Sequence, residues 1–256
     1  MTGQGRPIPL LFALLMLSAG SAASPQPLQS GDYATADGWG ELRLQAASAP
    51  AQLRFNLETV TSDHICSIEG LVETATGIGL PSDAQLAPGC TLQLRRTANG
   101  VQVDPLDDDA QTACRHYCGA NGSYEGHYLA IAPACTWQAL DTAKTSARAA
   151  STQAQRRQAL ARLSPQLTQC TPTLPLEQAV DLHAVVAGLH AGDGNGRACR
   201  ASMARYAEDA SRSQDDLLAD ASPSWGRALS TAMAQVRQVL AGCPAADGLE
   251  QAVPPG

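Results

Sequence analysis

Between residues 31 and 135, apolar side chains recur at every second position in short segments. These are Leu42-Arg43-Leu44, Leu53-Arg54-Phe55-Asn56-Leu57, the stretch from Ile65 to Val72, Leu92-Gln93-Leu94 and Val101-Gln102-Val103. Alternation with period two gives a strand one buried face and one wet face. Each segment is bounded by Gly, Pro, Asn or Asp, and Asn99-Gly100 between the last two is a hairpin signal. The pattern predicts an antiparallel β meander that closes into a small sandwich or barrel. The acidic stretch 104–111, with Asp107-Asp108-Asp109 at its centre, reads as a solvated loop.

From Trp137 onward the period lengthens. Leu160, Leu163 and Leu167 share one helical face, as do Leu182, Val185, Val186 and Leu189. A third helix carries Cys199, Met203, Tyr206 and Ala210. A fourth has Ser222 as N-cap and Pro223 at its first position, followed by Trp225, Leu229, Val236 and Leu240. Gly192 and Gly242 stand where helix C-caps are expected. Four helices joined by short connections predict a small bundle or helical hairpins. The fold class is therefore α+β: a β domain over 31–135, a helical domain over 137–244 and a flexible tail over 245–256.

Residues 1–23 carry one cation, Arg6, then an apolar run over 8–17 and a cluster of small residues. This is the layout of a cleaved secretory signal. The run is about half the ~20 residues that span a bilayer, and no membrane span is expected. No Cys follows the small residues, so no lipid anchor is expected either. The chain is expected in the periplasm or outside the cell.

Export changes the meaning of the eight cysteines, Cys66, Cys90, Cys114, Cys118, Cys135, Cys170, Cys199 and Cys243. In an oxidising compartment an even number of scattered Cys reads as a disulfide framework. The β part holds an odd five and the helical part an odd three, so full pairing requires at least one bond between them. In an up-and-down bundle Cys199 and Cys243 share one end. Cys170 is then left for Cys135 or another cysteine of the β part.

Candidate chemistry narrows quickly. A thiolate enzyme using Cys114 or Cys118 with His116 or His127 conflicts with disulfide pairing. Zinc would need paired Cys and His at ligand spacing, and no metal site or cofactor is expected. No GxSxG frame surrounds Ser123, and Glu125 with the Asp107–Asp109 run has no sign of the apolar pocket a general acid needs. The run Gly192-Asp193-Gly194-Asn195-Gly196 lacks the later ligands of a calcium loop and reads as a polar turn. A formal net charge of −7, without a basic cluster, argues against nucleic acid. No catalytic residue is assigned.

What remains is the segment 114–128, Cys-Arg-His-Tyr-Cys-Gly-Ala-Asn-Gly-Ser-Tyr-Glu-Gly-His-Tyr, which holds three of the chain's five Tyr and two of its five His. Gly119 and Gly122 permit positive φ and a tight excursion. Arg115, Tyr117, Asn121, Ser123, Tyr124, Glu125 and His127 are side chains suited to a protein interface. Tyr124 and Tyr128, two positions either side of Gly126, read equally as core residues of a final strand.

The motif Ala113-Cys114-Arg115-x-Tyr117-Cys118-Gly119-Ala120, then Ser123-Tyr124-x-Gly126-x-Tyr128, with Cys66-x-x-x-Gly70 upstream, resembles bacterial exported proteins related to lysozyme-inhibitor-like lipoproteins. The resemblance covers roughly 31–200 and rests mostly on the β part. It implies a small β-barrel whose loop enters the sugar-binding cleft of a cell-wall hydrolase, with Ser123 and either Arg115 or His127 as the Ser and basic pair. The expected function is thus non-catalytic protein binding. The alternatives are an envelope scaffold that uses its helices to bind a partner, and an exported hydrolase using Glu125 or a His.

Overall fold

The computed structural model describes residues 26–61, 63–219 and 221–245. The predicted secretory signal over 1–23 and nearly all of the predicted tail lie outside the described residues. Eight strands pair antiparallel in chain order: β1 (Gly31–Thr35), β2 (Gly40–Ala46), β3 (Gln52–Thr61), β4 (His64–Glu73), β5 (Ile78–Pro81), β6 (Leu92–Arg96), β7 (Gly100–Pro105) and β8 (Gly126–Ala130). β8 returns to β1, with Tyr33 opposite Ala130, and closes the barrel. Closure leaves no unpaired sheet edge.

The alternating positions point where the sequence put them. Leu42 and Leu44, Phe55 and Leu57, Ile68, Leu92 and Leu94, and Val101 and Val103 are all at most 2% exposed. Tyr128 joins them at 0%. An eight-stranded barrel is just wide enough for its interior side chains to fill it, so this interior is a packed core with no ligand lumen. At the predicted hairpin the connection between β6 and β7 takes three residues, 97–99, and Gly100 is already in the strand, opposite Leu129. A Cβ there would lie 2.0 Å from the Tyr128 carbonyl oxygen, so close approach of β8 fixes this glycine.

The stretch 104–111 departs from its reading as a loop. Asp107 accepts the backbone N–H of Ala110 at 2.8 Å and caps a short helix, α1 (Asp108–Cys114). Asp108 and Asp109 occupy its first turn, where negative charge favours the helix dipole. Three consecutive aspartates therefore serve as a cap and two first-turn residues.

The C-terminal part is helical: α2 (Trp137–Arg148), α3 (Gln153–Cys170), α4 (Leu176–Gly192), α5 (Gly196–Ser202), α6 (Ala204–Ser211), α7 (Gln214–Leu218) and α8 (Pro223–Gly242). Thr152 and Gln155 form a reciprocal capping box at the start of α3. α4 buries Ala179, Val180, Leu182, Val185, Val186, Ala187 and Leu189 around most of its circumference, so it sits inside the others. The predicted third helix is broken at Met203 into α5 and α6. α4 runs through Gly192, and the left-handed residue after it is Gly194, at φ 74°. Ser222 stands at the predicted N-cap of α8, but its hydroxyl makes no cap bond; it lies 3.1 Å from Asp63 Oδ1, on the β3–β4 turn.

That contact is one link between the two parts. Another is the turn 36–38, which packs on the turn 171–173. Gly38 has φ 65°, and a Cβ on it would lie 2.3 Å from the nitrogen of Pro175.

All eight cysteines are bonded: Cys66–Cys118, Cys90–Cys114, Cys135–Cys170 and Cys199–Cys243. Cys135, counted with the strands by its position in sequence, packs in the helical core cluster with Cys170. The barrel and helical cores thus hold four cysteines each. The Cys135–Cys170 bond ties the chain leaving β8 to the end of α3 rather than tying the barrel wall to a helix.

The fold displaces the titration of His183, on α4. Its Nδ1 is 2.6 Å from the Ser202 carbonyl oxygen, to which it donates, and Nε2 lies 3.2 Å from Thr171 Oγ1. Burial is the main cause of a pKa below the ordinary 6.5, with the charge of Arg205 adding to it against the hydrogen bond to Ser202. As pH falls through the ordinary histidine range the unfolded chain binds the proton first, so stability drops toward the lower folded-state pKa and then levels. Each tenfold difference in proton affinity is worth about 1.4 kcal/mol. Urea unfolding at pH 7.5 and pH 5.5 is expected to show wild type losing more stability than His183→Gln over that interval; equal losses would contradict it.

Candidate functional site

The segment after α1 does not run straight into the last strand. A turn over Arg115–Tyr117 leads to Cys118, which bridges to Cys66 on β4 through both a β-bridge and the disulfide. The chain then makes a short excursion over 119–125 before entering β8. Gly119 N–H donates to the Ile65 carbonyl at 3.2 Å and Gly122 N–H to the Gly119 carbonyl at 2.8 Å. Ser123 N–H donates to Thr61 Oγ1 at 2.9 Å, and Thr59 Oγ1 donates to the Ser123 carbonyl at 2.6 Å. The excursion is held by β3 on one side and by β4 on the other.

Gly119 and Gly122 are needed for a different reason from the one the sequence implied. Neither is among the glycines with positive φ. A Cβ on Gly119 would lie 2.3 Å from His64 Nδ1, and one on Gly122 would lie 3.0 Å from Cys66 Sγ. Both glycines let the loop lie against β4 and its disulfide.

This arrangement gathers Arg115, Asn121, Ser123, Tyr124 and Glu125 around one groove of about 420 Å³, with Gln111 from α1 at its side. Gln111 Nε2 donates to Glu125 Oε1 at 3.1 Å. Arg115 is exposed, and its guanidinium has no ion pair or hydrogen bond among the described residues. Tyr124 is only 3% exposed, and its hydroxyl has no hydrogen-bond partner among the described residues. Burial, reinforced by the Glu125 charge, raises its pKa far above that of a free phenol, so it remains protonated.

Two predicted residues fall elsewhere. Tyr117 is half-buried and donates to the Asp83 carbonyl at 2.7 Å, which turns it away from the groove lining. His127 sits on β8 opposite Gln102, with Nε2 2.9 Å from Thr97 Oγ1, and does not line the groove. Tyr124 contributes mainly to the barrel core, as does Tyr128, whose hydroxyl donates to the Tyr124 carbonyl at 2.7 Å. The outward chemistry is therefore Arg115, Asn121, Ser123 and Glu125.

The chemistry of the flanking residues is constrained as well. The cysteines either side of His116 are bonded to Cys90 and Cys66, which removes both thiolates as nucleophiles or ligands. Glu125 faces Gln111 while Asp107 caps α1, so no carboxylate pair is assembled there. In the 192–196 turn, Asp193 accepts from Arg156 Nε at 2.6 Å and Asn195 caps α5.

Sequence reasoning missed the supports, Thr59, Thr61 and Gln111. Thr59 carried a signal: it stands at an inward position of β3, in register with Leu57 and Phe55, and is 1% exposed. A polar side chain at a core position of a strand needs a partner, and here the partner is the loop. No family model, curated protein or solved structure matches the chain.

Proposed function

We propose that this is an exported, non-catalytic binding protein whose 118–125 loop engages a protein partner, and that the partner is a lysozyme-type cell-wall hydrolase whose cleft the loop occludes. Export is supported by the disulfide framework, which persists only in an oxidising compartment. Among the described residues no helix is long and apolar enough to cross a membrane. The closed barrel agrees with the scaffold that the resemblance implies. In this reading the C-terminal helices form a small bundle around α4 that stabilises the barrel from one side.

One observation carries the reading: a polar loop held by a disulfide and by backbone bonds to two strands, presenting an unpaired cation beside Asn121 and Ser123. Such a loop binds with little loss of conformational entropy, and pre-organisation of this kind favours affinity. No histidine lines the groove with Ser123, and its one carboxylate, Glu125, accepts from Gln111, which favours binding over acyl transfer.

The test is lysis of cells by lysozyme with and without the oxidised protein, alongside titration for a complex. Micromolar protein is expected to slow lysis, and Arg115→Ala to weaken the complex by about tenfold or more. Absence of both protection and complex at that concentration would sink the hydrolase reading. Capture of a different envelope protein, lost on Arg115→Ala, would keep the loop and change the partner.

A further inference from the structure

We propose that the cleft between the barrel and the helical part is a second binding site, for an uncharged oligosaccharide, with Trp137 as its stacking platform. The cleft has a volume of about 530 Å³, within the range of about 300–1,000 Å³ usual for ligand sites. One wall is the outer face of β1, β2 and β3; the other is the start of α2 with the 173–178 segment.

Trp137 is 62% exposed at the first position of α2. Lys144 Nζ lies 5.4 Å from its ring centroid and engages one face of the indole. Trp137 also lines the cleft. A pyranose carries axial C–H groups on one flat face, which pack on the negative face of an indole, and hydroxyls around its rim. The opposite wall meets those hydroxyls. Glu41 and Arg43 project from the outer face of β2, with Asp32 and Asn56 beside Arg43 on β1 and β3. The side chains of Glu41, Asn56 and Gln138 and the indole N–H make no hydrogen bonds among the described residues. These are planar groups left free on a surface that the fold itself holds concave: the carboxylate accepts, the indole N–H donates and the two amides do both.

Charge selects among sugars. Asp32 and Arg43 neutralise each other, with Arg43 Nε 2.9 Å from Asp32 Oδ1. Glu41 remains as the uncompensated charge, which disfavours uronates and other anionic glycans and favours neutral or N-acetylated chains. Of the two aromatic residues in the lining, Tyr33 is buried and Trp137 exposed, and Leu42 and Leu174 are buried too, so the surface around Trp137 is not the contiguous apolar patch that protein docking uses.

The probes are chitotetraose and cellotetraose, with polygalacturonate as the anionic contrast, titrated into the full-length oxidised protein by NMR and calorimetry. Saturable binding of a neutral tetrasaccharide is expected, with the Trp137 indole N–H resonance shifting. Trp137→Ala and Glu41→Ala are each expected to weaken it by about tenfold, while Trp225→Ala leaves it unchanged. Glu41→Ala guards against a Trp137 variant that disturbs the Lys144 contact. No saturable binding of either tetrasaccharide, unaltered affinity in both cleft variants, or stronger binding of polygalacturonate would overturn the proposal. The loop reading is independent, because Arg115→Ala leaves this cleft intact.

Discussion

Asp181→Ala is expected to lower folding stability by about 3 kcal/mol or more, among the largest losses from a single charged residue in this fold. Asp181 on α4 accepts from Lys144 Nζ at 2.8 Å, from Arg148, and from Gln235 Nε2 at 3.5 Å. Lys144 is the decisive partner because it is 5% exposed and lies under Trp137. Arg148 is half exposed, so losing Asp181 lets it turn to water, whereas Lys144 is stranded as a buried ammonium. Burial pushes the Asp181 carboxyl up, but the hydrogen bonds from Lys144 and Arg148 outweigh it and hold the pKa below the usual 3.8. The folded-state pKa is depressed, so this stabilisation is full above the unfolded value of 3.8 and fades as pH falls from there through the folded-state pKa. Denaturant unfolding at neutral pH checks it. The pair Lys144→Met with Asp181→Leu is expected to recover most of the loss, since a buried ion pair replaced by apolar groups is often neutral or better. A loss below about 1 kcal/mol in Asp181→Ala would place the pair with weak surface bridges instead.

Replacing Cys66 and Cys118 together by Ser is expected to cost about 4 kcal/mol, from the loop-closure entropy of a separation of 52 residues. The matching change at Cys90 and Cys114, with a separation of 24, is expected to cost about 3.5 kcal/mol by the same argument. Stability alone therefore barely separates them. Partner capture does. The first bond anchors the 118–125 loop to β4, whereas the second anchors the start of β6 to the end of α1 behind it. Loss of the Cys66–Cys118 bond is expected to abolish loop-dependent capture under conditions where the barrel still folds, while loss of the Cys90–Cys114 bond preserves it. Capture retained without the Cys66–Cys118 bond would mean that Thr59 and Thr61 suffice to hold the loop.

Much of this architecture was legible in the chain because period-two and longer-period burial were cleanly separated. β2, β3, β4, β6 and β7 are the five alternating segments, and the helical faces around Leu163, Leu182 and Val236 are the buried ones. Among the elements that escaped notice, besides β1 and α2, three have local physical reasons. β5 is four residues long, with a glycine at one of its inward positions, so it has almost no alternation to display. α1 hid among aspartates, whose local bonding suits caps and loops alike until tertiary contacts select one. α7 is a five-residue helix too short for a period. At the loop, the residue types pointed to the right stretch of chain, but only the fold decided direction. Alternation gave Tyr124 and Tyr128 a common face, and the barrel took that face as its interior, leaving Arg115, Asn121, Ser123 and Glu125 outside. His127 was drawn away by its register with Gln102, which no local feature encodes.

The division of the four disulfides bears on how the chain acquires them. Eight cysteines in one pool allow 105 connectivities, but two separate sets of four allow three each. The two sets are not equivalent in order. In the helical part each cysteine joins the next along the chain, Cys135 to Cys170 and Cys199 to Cys243, so oxidation in order of emergence yields the native bonds. In the barrel the bonds are nested, Cys90–Cys114 inside Cys66–Cys118. There the first two thiols to emerge, Cys66 and Cys90, are not partners, and a bond between them must be reshuffled before β8 can close the barrel. The N-terminal half, which leaves the ribosome first, is thus the half expected to depend on disulfide isomerisation, and the helical half is expected to mature with an oxidant alone.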